Sequence, residues 1–308
     1  MNARRWLGLA LLAALVAAAL ILPEALEARE RPARHPLARV ILVVEENHEY
    51  RQIVGSRQAP FLNWLAAGGV LLTRYYAVTH PSLPNYMTLL AGDPLGIHGD
   101  CYACHRPGRN LVDQLQAAGI SWKAYYQGLP APCSTVAKVG AYASKVNPFL
   151  HLDDVRHSAV RCHRVVPLTQ LAADLRGGRL PRFAVVTPDL RHDMHSGTVA
   201  SADAFLRRLY RELARSPAWR AGTVLVVTFD EGSSSRGLHG HGGGHVATIV
   251  AGPGIPAGLR DPTRYDHYAL LRSIERRFGL QPLRHAADPG TATIPAVAGT
   301  IHVPRRLA

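Results

Sequence analysis

Short, unbroken apolar runs punctuate this chain. VILVV (40–44), FAVV (183–186) and VLVV (224–227) are rich in β-branched residues and end in polar groups. Such runs predict strands buried on both faces. GVLLTRYYAVT (69–79), ISWKAYYQ (120–127) and HVATIVAGPGI (245–255) predict three more. Between them lie segments that read as helices, several closed by glycine: 59–69, 81–93, 110–119, 167–178, 201–216 and 265–280. Ser201 or Asp203 is the expected cap of the fifth. Strands alternate with helices throughout, which predicts an α/β sandwich with a mainly parallel sheet.

Segments of about 93–110 and 128–165 interrupt the alternation. They are rich in Cys, Pro, His and Gly and read as loops over one rim. GSSSRGLHGHGGGH (232–245) reads as a loop between two strands, with chelation by His239, His241 and His245 as a weaker reading. At the start, Arg4 and Arg5 precede an apolar run from Trp6 to Pro23. That pattern predicts an export leader over 1–28, or an uncleaved N-terminal anchor. A basic linker (29–38) and a single domain (39–308) follow. The expected location is secreted or periplasmic, with membrane association through the N-terminal segment if it is retained.

Charge and cysteines extend this picture. Lys and Arg number 35 against 22 Asp and Glu, a net charge of +13. Such a surface suits anionic partners, or else an arginine-rich solvated face. Four cysteines in an exported chain suggest disulfides. Three pairings exist, and Cys101–Cys104 with Cys133–Cys162 is the favoured one. Cys101-Tyr-Ala-Cys104-His105 also spells a haem-attachment pattern, and a zinc knuckle is a further weak reading.

In parallel α/β sheets, ligands gather beyond the carboxyl ends of the strands. The residues there are Glu45, Glu46, Asn47 and His48; His80, Ser82 and Asn85; Asp189, His192, Asp193 and His195; and Asp230 with Glu231. Carboxylate and amide oxygens suit Mg, Ca or Mn, and added imidazole admits Zn or Fe. A metal beside Ser82 would activate its hydroxyl and neutralise a phosphate. Alone, Ser82 reads as a helix N-cap. The helix start would offer N–H groups to an anion.

VVEENHEY, THPSLPNYMTLLAG, VTPDLRHDMHSG, VTFDEG, HVATIVAGPGI and YDHYALLRSIERRFGL occur in order between about 38 and 285. Together they resemble the phosphoesterase family of secreted acid phosphatases and phospholipases C, within the alkaline phosphatase superfamily. The resemblance implies a three-layer α/β/α sandwich, alkaline phosphatase-like, with metal-assisted phosphate ester hydrolysis. It implies Ser82 as nucleophile, also touching the metal, with Glu46, Asn47, Asp230 and Glu231 as ligands of one divalent ion. It implies Asn85 and His245 as phosphate-binding groups, and Asp193 and His195 in catalysis. Asp-Glu at 230–231 replaces the Asp-His common in the superfamily, which favours one ion over two. The expected activity is an acid phosphatase cleaving monoesters through a phosphoserine, with phosphoinositides among its substrates. A phosphorylated small molecule or lipid headgroup is the expected partner, and no nucleic acid. The alternatives are a phospholipase C-type phosphodiesterase and a non-catalytic anion-binding module. A sulfatase fits less well, because Ser82-Leu83-Pro84-Asn85-Tyr86 lacks the arginine of the sulfatase signature.

Overall fold

The β-branched runs form the strands, and glycines and caps close the helices. The computed structural model describes residues 39–233 and 242–301. The expected leader, anchor and linker, and His239 and His241, lie outside the described residues. No helix among the described residues is long and apolar enough to cross a membrane.

In chain order the strands of the main sheet are β1 (Val40–Glu45), β2 (Val70–Tyr76), β3 (Trp122–Tyr126), β4 (Val165–Pro167), β5 (Phe183–Thr187), β6 (Val224–Phe229), β7 (Thr248–Ala251) and β8 (Leu259–Asp266). The principal helices are α1 (Pro60–Ala67), α2 (Ser82–Ala91), α3 (Leu111–Ala117), α4 (Thr169–Arg176), α5 (Val199–Arg215) and α6 (His267–Phe278). The strand order is β8-β2-β7-β6-β1-β5-β3-β4. β1 pairs in parallel with both β5 and β6. β7 runs antiparallel to both β2 and β6, so those two strands point the same way.

Two-residue periodicity assigns each strand's side chains to opposite faces. Ile41, Val43, Val186, Leu225 and Val227 meet Phe61 of α1, Leu171 of α4 and Leu206 of α5. On the other face, Phe183 meets Phe278 of α6 edge-on, ring centroids 6.4 Å apart. Helices therefore cover both faces, in the three-layer arrangement. β1, β5 and β6 are buried along their whole length, as their unbroken apolar runs require.

Several details differ from the sequence reading, among them β4, a short strand at the end of a segment read as loop. Thr198 caps α5 by accepting from Ser201 N–H, so neither Ser201 nor Asp203 does so. Asp203 lies inside the helix and reaches across to α1, accepting from Phe61 and Leu62 N–H at 2.9 and 2.8 Å. It thereby satisfies amides that α1 cannot satisfy itself. β8 is another, an edge strand with half of its residues exposed that holds Pro262. Its polar sequence hides it from periodicity, and an edge position tolerates the proline.

Candidate active site

β1, β5, β6 and β2 all point one way, so the residues after them share one rim. Backbone bonds knit that rim. Glu46 N–H donates to Asp193 O at 2.7 Å, and Asp230 N–H donates to Glu45 O at 2.9 Å. Asn47 adopts a left-handed φ of 56°, a region Asn tolerates. Its N–H donates to Asp230 Oδ1 at 3.3 Å, and Glu231 N–H reaches the same oxygen at 2.6 Å. The Asp193–His195 turn is tighter still. Met194 has φ 77°, and any Cβ at Gly197 would lie 1.8 Å from Arg191 O, so the DMHSG stretch requires its glycine.

Ser82 is the first residue of α2 and is fully buried. Pro81 occupies the cap position without a side-chain cap bond. The Ser82 hydroxyl therefore caps nothing. Its Oγ lies 3.0 Å from Glu46 Oε2 and 3.4 Å from Glu231 Oε1, so its single proton is directed at carboxylate. It accepts from Lys145 Nζ at 3.1 Å. Lys145 also donates to Asp100 Oδ2 at 3.1 Å and lies 3.7 Å from Glu46 Oε2. His80 pairs with Glu231 through Nδ1 at 2.7 Å.

The carboxylates crowd one another. Burial, then Glu46, pushes the Asp193 carboxyl up to about 9. Burial raises Glu231 to about 7, although His80 pulls it down. Asp230 and Glu45 are driven well above the usual range, first by burial and then by neighbouring carboxylates. Burial works to lower Lys145, but Glu46 and Asp100 outweigh it and hold it at about 12. Burial lowers the His195 imidazole, with Glu46 opposing.

Several oxygens in this crowd have no hydrogen-bond partner: Glu46 Oε1, Asn47 Oδ1, Asp193 Oδ2 and Asp230 Oδ2. Orphaned buried oxygens are costly. A hard divalent cation would satisfy them and relieve the mutual repulsion, so the donor set fits the one-metal expectation with Mg, Ca or Mn. The sulfur sites do not serve a metal. Cys101–Cys104 and Cys133–Cys162 are disulfides, the favoured pairing, which removes the haem and zinc-knuckle readings.

Glu46, Ser82, Asp230 and Glu231 thus come together, with Asn47 and Asp193 beside them. Asn85 departs from the expectation. Its oxygen accepts from Val78 and Thr79 N–H, and its amide donates to Thr79 O and Pro81 O. Every donor and acceptor direction is used in shaping the loop before Ser82, which leaves none for a phosphate. The α2 start departs likewise, because Leu83 N–H donates to Asp100 Oδ1 at 3.0 Å. His245 is stacked on Tyr50 and Tyr76, at 4.4 and 4.9 Å between centroids, with Nε2 3.0 Å from Thr73 O. Those contacts hold it in the wall of the sheet.

Three residues of this neighbourhood escaped the sequence reading: Lys145, Asp100 and His267. His267 Nε2 lies 2.6 Å from Asp230 O, and Tyr75 Oη lies 3.0 Å from its other nitrogen. It steadies the acidic pair from behind. Its place in YDHY, at the start of a helix, was the available signal.

Known proteins resemble this chain in sequence and fold. Residues 55–281 match the profile of the Phosphoesterase family. A phosphatidylinositol-3-phosphatase of Mycobacterium tuberculosis is 34% identical over 255 residues, 82% of this chain and 80% of that one. A probable acid phosphatase of Kluyveromyces lactis is 30% identical, covering 85% of this chain but 63% of its own length. Phosphonate monoester hydrolase of Agrobacterium radiobacter shares the fold, with a TM-score of 0.57 and 16% identity over 86% of this chain and 78% of that one. The chain belongs to the phosphoesterase family, and with it to the phosphoric ester hydrolases.

Proposed function

We propose that this protein is an exported, metal-dependent acid phosphatase that cleaves phosphate monoesters through a phosphoserine at Ser82. One observation carries the reading. A buried serine at a helix start directs its hydroxyl at Glu46 and receives a lysine ammonium on the same oxygen. Glu46, Asn47, Ser82, Asp230 and Glu231 would hold the divalent ion. When bound, the ion supplies Lewis-acid neutralisation of charge on the phosphoryl group and the nucleophile.

The chain's own groups then divide the work. Glu46 Oε2 receives the Ser82 proton as the Oγ–P bond forms. The bond from phosphorus to the leaving oxygen breaks in line. His195 gives that oxygen a proton and later takes one from the water that attacks the phosphoserine, whereupon the Oγ–P bond breaks and Glu46 returns the proton to Ser82. His195 N–H donates to Asp193 Oδ1 at 2.8 Å, which sets its position at the rim. Because burial lowers the imidazole, its acid form is populated only toward acidic pH. That sign supports an acid optimum. The names of the mycobacterial and yeast relatives support a phosphomonoester, with phosphoinositides among the candidates.

The test is a panel of phosphate monoesters and diesters, from a simple aryl phosphate to phosphoinositide vesicles, with and without chelator. The expectation is monoester turnover, greatest below neutral pH, lost on chelation and restored by Mg, Ca or Mn. Full activity after exhaustive chelation would remove the metal from the reading. No monoester turnover under any condition would remove the phosphatase.

A further inference from the structure

An insertion, not the sheet, delivers the positive charge to Ser82, and a second insertion supplies the carboxylate that holds it. Asp100 comes from the earlier in the chain, just before Cys101, and Lys145 from the later, between Cys133 and Cys162. The insertions are bonded to each other. Ser144 Oγ donates to Tyr102 O at 2.9 Å, and Arg106 N–H donates to His151 O at 2.8 Å. His151 bridges Cys104 O and Ser144 O. Lys145 is thus held by the neighbouring turn as well as by Asp100, and it is buried.

Resting on the Ser82 reading, we infer that Lys145 is a phosphoryl-binding catalytic residue that favours monoesters over diesters. Its Nζ lies 3.1 Å from the attacking oxygen. A phosphorus in line for attack stands about 3–3.5 Å from that oxygen. A non-bridging phosphoryl oxygen then falls within hydrogen-bond reach of the ammonium. A monoester carries three non-bridging oxygens and up to two negative charges. A diester carries two such oxygens and one charge. One fixed cation beside the nucleophile therefore gains more from the monoester, and from inorganic phosphate. Lys145 takes no proton in this role. It stays an ammonium between two carboxylates and exchanges part of its contact with Ser82 and Asp100 for the phosphoryl oxygen.

The experiment compares wild type with Lys145→Met, Lys145→Gln and Lys145→Arg. It reads kcat/KM on one monoester and one diester of the same alcohol, and phosphate binding by calorimetry. Removing one oriented donor to a transition state costs about 10²–10³-fold. Lys145→Met is expected to lose that much on the monoester and roughly ten-fold less on the diester. Phosphate binding should weaken in step, and Lys145→Arg should recover most of the monoester rate. If Lys145→Met fails to fold, Lys145→Gln, one atom shorter than lysine and with an N–H donor but no charge, carries the same expectation. Equal losses on both esters with unchanged phosphate binding would overturn the inference and leave the Ser82 reading intact. A wild type inactive on both esters would instead overturn the Ser82 reading and this inference with it.

Discussion

The acidic and basic sides of the Ser82 centre are built in opposite ways. Glu46, Asp193, Asp230 and Glu231 follow adjacent parallel strands, and backbone bonds lock their positions. Lys145 and Asp100 come from irregular segments that depend on disulfides and side-chain bonds. The sheet supplies a rigid acidic floor, and the insertions supply the charge that faces it. The difference teaches where change is tolerable. Floor residues have no slack, because any shift moves a strand. The insertions can vary in length and substrate contact as long as one ammonium reaches Ser82.

Three perturbations break this comparison at different points. Ser82→Ala removes the atom both sides share. Turnover of an aryl phosphate should fall by roughly three orders of magnitude or more, with the melting temperature nearly unchanged. Next comes the pair Cys133→Ser and Cys162→Ser, which frees the segment bearing Lys145. A loop of this sequence separation, 29 residues, predicts a stability loss of roughly 3–4 kcal/mol, read by denaturant unfolding. Monoester kcat/KM should drop, while binding of the proposed divalent ion, whose proposed carboxylate ligands lie on the floor, should be retained. Loss of metal in that variant would show that floor and insertions are not separable.

The smallest effect is in the scaffold. Glu275 of α6 is buried, accepts from Leu283 N–H at 3.0 Å, and is pushed up to about 8 by burial. Its folded pKa exceeds the ordinary carboxyl value of 4.5. The folded state therefore holds the proton more tightly. Its contribution is full below 4.5 and is lost as pH rises through about 8. Glu275→Gln should flatten the decline of melting temperature between pH 5 and 9 relative to wild type. Parallel curves would refute the assignment.

Legibility tracked the same division. The alternation of strands and helices, and the acids after β1, β5 and β6, could be read from local runs such as VILVVEEN and VLVVTFDE. The rim follows from topology once the sheet is parallel. Asn85 was assigned to phosphate on residue type and motif alone, while its bonds in the structure go to the loop six and seven residues before it. Lys145 was missed because it sits in a segment with no period, 63 residues from Ser82 and 45 from Asp100.

By itself, then, the sequence determined six of the sheet's eight strands, the strand ends that carry acids and the family to which the chain belongs. Hydrophobic periodicity is local, and parallel connectivity leaves few ways to arrange it. Only the tertiary structure decided that Ser82 caps nothing, that Asn85 and the Leu83 N–H are already bonded within the chain, and that Lys145 faces the Ser82 hydroxyl. Those facts depend on which donors and acceptors remain after distant segments pack. No local pattern records that remainder.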